Sequence, residues 1–490
     1  MAKYDSASLR NIVVVGHGGT GKTSLCESFL FVSGKSDRPG RVDEGTSSMD
    51  FEPEEQKRHI SISTAVNFFD WDKHKINIMD TPGDSNFSFD TKNALRVADC
   101  AVVVIDAVSG VEFQTIKNWE YADTFNLPRV IFINRMDRER ADFNKSFDSI
   151  NTLLGKKGTP VFLPIGKENT LKGVVDLIAM KAMVFDDQKG TYQTVDIPAE
   201  LKDDASRFRE SMVEDIAECD ENLMEQYLEN GELSDEDLKT GLKKGILSGS
   251  LYPVLCGSSI KNIGITPFMD FIVKYLPSPI DRGAVIGKNP AGDGKEERAP
   301  EETAPFSALV FKTIADPYAG RLTIFRVYSG TLTSDGNFYN TTRKVSERTG
   351  NISYLEGKTQ KTAEQLIPGD IAALSKLKDT FTGDTICLEK APIIFDKIEV
   401  PPTIISFAIE PKSRGDEEKI VSSINRLTEE DPTLSFHRDE QTKEMIISGM
   451  GQVHIEVNME KMKRKFGVEV NLKTPRVPYK ETIKGKTNVQ

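Results

Sequence analysis

Residues 16–23 read GHGGTGKT, and their setting decides the fold. The apolar run NIVVVG (11–16) leading into them reads as a buried strand, and a helix-compatible stretch follows. Between a strand and a helix, G-x-x-x-x-G-K-[ST] is a phosphate-binding loop, because glycines let backbone N–H groups turn toward an anion at a helix N-terminus. Gly16, His17, Gly18, Gly19, Thr20 and Gly21 would cradle the α- and β-phosphates, with Ser24 at the start of the helix. Lys22 brings a point charge to the β- and γ-phosphates, and Thr23 offers a hydroxyl to Mg²⁺. A purely structural glycine turn would not need a Lys-Thr pair at that spacing.

Further motifs follow in chain order. In MDTPGDSNF (79–87), Asp80 ends a strand, where its carboxylate reaches Mg²⁺ through water, and Gly83 can turn its N–H onto a γ-phosphate. In NRMD (134–137), the Asp137 carboxylate accepts from N1–H and N2–H of guanine, donors that adenine lacks, so Asn134 and Asp137 select guanine. GSS (257–259) completes the base pocket with the backbone N–H groups of Gly257, Ser258 and Ser259. The implied ligands are GTP or GDP with Mg²⁺.

The runs INIMD (76–80), CAVVVIDA (100–107), PRVIFIN (128–134) and YPVLCG (252–257) add buried parallel strands, the alternation of a doubly wound sheet with its ligand at the strands' carboxyl ends. The last two are too far apart for one crossover, which requires an inserted subdomain at about 157–252 with a strand pair near 160–195 and acidic helices. Ser234 and Asp237 read as a capping box opening one of them. The GTP-binding domain thus spans 1–282, and the Gly/Pro/Glu-rich stretch 283–305 reads as a linker. Short β-branched segments between glycine turns predict a β-barrel over 306–396. The order strand, helix, strand, strand, helix, strand predicts a ferredoxin-like α+β domain over 401–475. The fold class is multidomain α/β.

At 490 residues the chain exceeds a single core and requires several domains. No apolar run reaches the ~20 residues of a membrane span, so a soluble protein with no membrane partner is expected. The N-terminus has no secretory pattern, and the five cysteines lack metal or redox spacing, which fits the cytoplasm. The net charge of −12 argues against nonspecific coating of nucleic acid, yet residues 196–240 alone hold 16 acidic and 4 basic side chains. That segment is a solvated helical surface or a docking face for a basic partner.

Beyond these motifs the chain resembles the translational GTPases, specifically elongation factor G. MDFEPEEQKRHISI resembles switch I, GKENTLKGVVDLI the inserted subdomain, GRLTIFRVYSGTL and GDIAALSKLKDTFTGDT the second domain, and EEDPTLSFHRDEQTKEMIISGMGQVHIEV the third. The resemblance implies ribosomal RNA and the ribosomal stalk as partners, a monomer, and a role in translocation. It places Ser61 where a switch I threonine completes the Mg²⁺ shell. PRVPYKETI resembles the entry to a fourth domain, so 476–490 is expected to begin a domain of which little follows.

Four residues depart from the family. Asp84 stands where a histidine positions the attacking water, Gly19 replaces an aspartate, Arg135 replaces the lysine lying over guanine, and His59 replaces a glycine. Lys22, Gly83 and Asp84 are then the groups at the reacting phosphate, and hydrolysis is expected to be weakened. The alternatives are a GTP-binding, ribosome-docking switch with little turnover, and a ribosomal-protection or release-factor-type relative.

Overall fold

The computed structural model describes residues 4–155, 157–186, 189–290, 292, 294–316, 320–412, 417–479, 481 and 485. It divides into two compact units, residues 1–313 with 319–398, and residues 314–318 with 399–490. The expected start of a further domain at 476–490 lies for the most part outside the described residues.

The first unit begins with β1 (Leu9–Gly16), all eight residues buried, followed by α1 (Lys22–Val32) and the short α2 (Pro53–Arg58). Next come β2 (Ala65–Trp71), β3 (His74–Asp80), α3 (Ser88–Val97), β4 (Cys100–Asp106), α4 (Phe113–Thr124), β5 (Arg129–Asn134) and α5 (Phe143–Leu153). The sheet is completed by β6 (Gly158–Pro160) and by β11 (Tyr252–Cys256), in the spatial order β2-β3-β1-β4-β5-β11-β6. All pairings except β2 with β3 are parallel. Strands buried on both faces need apolar side chains on both faces, which is why VVV and VVVI recur in these runs.

Two edge strands escaped the sequence reading. β2 joins β3 through Asp72 and Lys73, both left-handed at φ 40° and 60°, the geometry of a two-residue hairpin without the Asn-Gly that usually announces it. β6 is three residues long. The insert differs too, since it holds four antiparallel strands rather than a pair: β7 (Phe162–Ile165), β8 (Gly173–Asp176), β9 (Lys181–Phe185) and β10 (Tyr192–Val195). Three helices follow, α6 (Lys202–Ala217), α7 (Glu221–Asn230) and α8 (Asp235–Ser248). The Ser234 hydroxyl oxygen does accept the Asp237 N–H at the start of α8, and the Asp237 carboxylate in turn accepts the Ser234 hydroxyl.

After α9 (Ile265–Tyr275) and α10 (Pro279–Arg282), the stretch expected as a plain linker forms a hairpin, β12 (Val285–Lys288) with β13 (Lys295–Arg298). An eight-stranded sheet then runs Val345–Arg348, Asn337–Asn340, Thr385–Cys387, β14 (Ser307–Asp316), β15 (Gly320–Ser329), Ile371–Ser375, Ile352–Glu356 and Thr359–Ala363. Its core gathers Phe306, Val310, Phe325, Val327, Phe338 and Leu374.

Buried polar bonds tie this β domain to the seven-stranded sheet. The Arg326 guanidinium meets Asp99 at 2.6 Å and donates to Val97 O, while Asn11 donates to Asp99 and to Gly369 O. Lys75 Nζ lies 2.9 Å from Asp370 and 3.4 Å from the Tyr354 ring centre, and the Tyr354 hydroxyl donates to the same carboxylate. Burial lowers the Lys75 pKa, and Asp370 opposes that shift.

In the second unit the sheet order is Ser435–Arg438, Met445–Gly449, Ile405–Pro411, Val470–Lys473, covered by helices Glu417–Glu430 and Gln452–Phe466. Ile420, Ile424 and Leu427 recur at helical spacing and pack with Ile447, Ile455 and Met462. His454, fully buried, bonds Asp431 at 2.6 Å. Burial pushes that carboxyl up, but His454 and Thr433 outweigh it and hold it at about 2.

The Lys75 pair yields a stability test. Asp370→Ala strands a buried ammonium and should lower the unfolding free energy by about 3–5 kcal/mol, whereas adding Lys75→Met should recover most of the loss. Urea unfolding of the three variants measures both changes.

Candidate nucleotide-binding site

Parallel register brings the sequence motifs to one edge of the sheet. Gly16 of β1 lies opposite Val104, Asp106 of β4 opposite Asn134 of β5, Ile133 opposite Cys256 of β11, and Val14 opposite Asp80 of β3. The loops leaving β1, β3, β5 and β11 therefore converge at the strands' carboxyl ends. They border a cleft of about 510 Å³, lined among others by His17, Lys22, Asp50, Ser61, Asp84 and Arg135.

Gly21 is the N-cap of α1 at φ 86°, and a Cβ there would lie 2.5 Å from Asn134 Nδ2. Glycine is required on both counts. Thr20 donates its hydroxyl to His17 O, and the Lys22 ammonium donates to the same carbonyl at 2.8 Å. Burial lowers the Lys22 pKa, opposed by Asp80 and Asp50. A Cβ on Gly83 would collide with the Lys22 ammonium and the Gly18 backbone, so the loop after β3 rests directly on the phosphate loop. Gly19 adopts φ 83°, and a Cβ there would meet nothing within 4 Å.

Beyond Lys22 the cleft is rich in oxygen. Thr23 Oγ1 and Ser61 Oγ are 3.1 Å apart. Asp80 is 1% exposed and, among the described residues, neither of its carboxylate oxygens has a hydrogen-bond partner. Burial, then the charge of Asp50, push its pKa up to about 8, offset in part by Thr23 and Lys22. Asp50 is itself raised by burial, with the Ser61 hydroxyl, Lys22 and Thr23 pulling the other way. Two hydroxyls and two carboxylates, one with both oxygens orphaned, form a hard donor set that fits Mg²⁺. The sequence reading named Thr23, Ser61 and Asp80 but not Asp50.

On the base side, the geometry differs from expectation. The N–H groups of Gly257, Ser258 and Ser259 are committed to Ile133 O, Ile263 O and Asn134 Oδ1. Asn134 also donates to Thr20 O and Gly21 O, which makes it a brace between the two loops. Asp137 Oδ1 and Ser259 Oγ are buried without partners among the described residues, an acceptor and a donor left for a base. Arg135, at φ 64°, is pinned by Asp106 at 3.0 Å.

Asp84 faces the cleft, but its Oδ1 accepts both the backbone N–H and the side-chain amide of Asn86, at 2.8 and 2.7 Å. It caps the turn Ser85–Phe87. His59 ends α2 at φ 52°, a conformation glycine adopts without strain. Two further carboxylates were missed. Glu27 of α1 accepts from Ser47 Oγ, Ser48 N, Ser48 Oγ and Met49 N, and Glu55, raised to about 8 by burial and then Asp50, accepts from Ile62 N and Ser63 N. They fix the segment carrying Asp50 and Ser61. Only the Glu52-Pro53-Glu54-Glu55 pattern, a helix start, signalled any of this.

Family comparison matches residues 7–278 to the elongation factor Tu GTP binding domain, 305–389 to elongation factor G domain 2, and 400–474 to elongation factor G domain III. A crystal structure of a protein from Thermus thermophilus is similar over 96% of this chain and 68% of that one, with a TM-score of 0.86 and 30% identity.

Gly21→Ala should lower nucleotide affinity at least tenfold, because the new Cβ displaces Asn134 at a left-handed backbone position worth about 1–2 kcal/mol on its own. Equilibrium binding of a fluorescent guanine nucleotide checks it.

Proposed function

We propose that this chain, which belongs to the elongation factor G-like translational GTPases, binds GTP or GDP with Mg²⁺ and acts on the ribosome in translation elongation, at translocation. The observation that carries the reading is the buried acceptor Asp137 Oδ1, without a partner among the described residues, on a residue flanked in sequence by the cleft-lining Arg135 and Arg138. A bare buried acceptor favours a ligand with donors at that point and penalises one without. Guanine offers N1–H and N2–H there, and the Ser259 hydroxyl can donate to its carbonyl. Arg135, held by Asp106 at 3.0 Å, would stack on the base.

Thr23, Ser61, Asp80 and Asp50 would hold Mg²⁺, which supplies charge neutralisation for the phosphates. Lys22 neutralises the β- and γ-phosphates, and Gly83 offers its N–H to the γ-phosphate. The acidic segment 196–240, which holds α6, α7 and the first turn of α8, would face a basic patch of the ribosomal stalk, with charge steering the encounter. Among the described residues no helix is long and apolar enough to cross a membrane. In this reading the chain works as a monomer in the cytoplasm.

Hydrolysis itself is weakened in this reading. An in-line water needs a group to orient it, and the Asp84 carboxylate is engaged by Asn86 instead. Swung inward it would bring a negative charge toward a triphosphate. Two like charges at ~4 Å and an effective dielectric of ~20 repel by about 4 kcal/mol, and half of that slows the step roughly 30-fold. The same observation favours a second reading, a GTP-binding, ribosome-docking switch that turns over little.

Calorimetry with GTP, GDP and ATP tests the binding claim. Asp137→Asn should weaken GTP by roughly two orders of magnitude and improve xanthine nucleotides, and equal affinity of the unaltered chain for ATP and GTP overturns the reading. Asp84→His should raise single-turnover GTP cleavage on ribosomes with GTP affinity unchanged. A flat or lower rate would make Asp84 a working catalytic residue.

A further inference from the structure

Of the buried ion pairs that join the β domain to the nucleotide-binding sheet, one differs in what it grips. Arg326 holds Asp99, at the start of β4, and Asp370 holds Lys75, on β3, both parts of the rigid sheet. Lys312 of β14 reaches instead into the two segments that face the cleft. Its ammonium donates to Asp90 Oδ2 at 2.6 Å and to Ser63 Oγ. Asp90 lies in the first turn of α3, six residues beyond Asp84, and the same Oδ2 accepts the Thr64 N–H at 2.5 Å. Ser63 and Thr64 follow Ser61 by two and three residues.

We infer that Lys312 is a positioning residue through which the β domain clamps the segment ending at Thr64 to the helix after Gly83, and so couples β-domain contacts to the nucleotide state. The argument is one of geometry and charge. A single ammonium, 5% exposed and mounted on a strand of an eight-stranded sheet, bridges the end of one loop and the first turn of α3, just beyond the point where β2 and β3 begin to pair at Ala65 and Asp80. One loop carries the hydroxyl facing Thr23, and the other carries the γ-phosphate N–H. A ligand that draws Ser61 inward keeps Ser63 and Thr64 on the clamp. A ligand that releases Ser61 loosens them, and Asp90 then keeps only the Lys312 contact. By linkage, whatever strengthens the clamp favours the triphosphate state to the same degree. Glu55 supports the clamp from the other side, since its Oε1 accepts the Ile62 and Ser63 N–H groups.

The nucleotide part of this inference rests on the GTP reading above, and the clamp itself does not. Two measurements separate them. The first is amide hydrogen exchange in the nucleotide-free chain. Lys312→Met and Asp90→Asn should each speed exchange at Thr64 and its neighbours while leaving β14 and β1 protected. The second is the ratio of affinities for a non-hydrolysable GTP analogue and GDP. Lys312→Met should lower that ratio about tenfold, the loss of a charge-assisted bond, with GDP itself changed less than about twofold. Lys312→Arg should restore part of it, and the double variant with Asp90→Asn should lose no more than the larger single loss. Faster exchange throughout the β domain, or an unchanged Thr64 with an unchanged ratio, overturns the clamp. If the chain binds neither nucleotide, the GTP reading falls while Thr64 exchange still decides the clamp.

Discussion

A carboxylate sealed at the end of a strand with both oxygens unbonded is the constraint around which the first unit is organised. Asp80 cannot solvate its charge in water, and among the described residues no donor is bonded to it. Asp50 beside it worsens the balance, and the nearby Lys22 is itself buried. Such a cluster is stable only because a rigid parallel sheet holds the strand ends in register and a left-handed glycine turns the phosphate loop over them. Its unspent electrostatics are what a metal and a polyphosphate would satisfy.

The same logic reaches outward. Glu27 and Glu55 commit their carboxylates to backbone N–H groups of the segment that carries Asp50 and Ser61, which fixes a stretch with little regular structure of its own. The β domain adds cations from the other side at Arg326 and Lys312, and an anion at Asp370. Each pair is buried, so each acts as a geometric key more than as a source of stability, because desolvation offsets most of the Coulomb gain.

The four positions that the sequence reading set apart from the family pattern find physical accounts of unequal depth. His59 occupies a backbone conformation made for glycine. Arg135 presents a planar group that Asp106 holds at 3.0 Å. Asp84 faces the cleft while its Oδ1 caps the next turn, a habit of aspartate. For Gly19 the structure offers open space where a side chain would project, and no reason for its loss.

The strand runs, and the placing of GHGGTGKT, DTPG and NRMD in loops at their carboxyl ends, were legible in the sequence because each is contiguous: a buried strand needs successive apolar side chains, and the motif begins where that run stops. The ferredoxin-like order of the second unit was legible for the same reason. What only the tertiary structure decided was everything carried by a lone residue acting at long range. Glu27 and Lys312 have no periodic or motif context, Asp50 and Asp106 lie in runs that do not single them out, and Lys312 finds Asp90 across 222 residues. The commitment of the Gly257–Ser259 N–H groups was equally invisible, since it depends on which strand ends align, and that is fixed by packing of the whole sheet. The hairpin from β2 to β3 was hidden because its turn residues, Asp72 and Lys73, are held left-handed by the pairing of flanking strands rather than by their own preference.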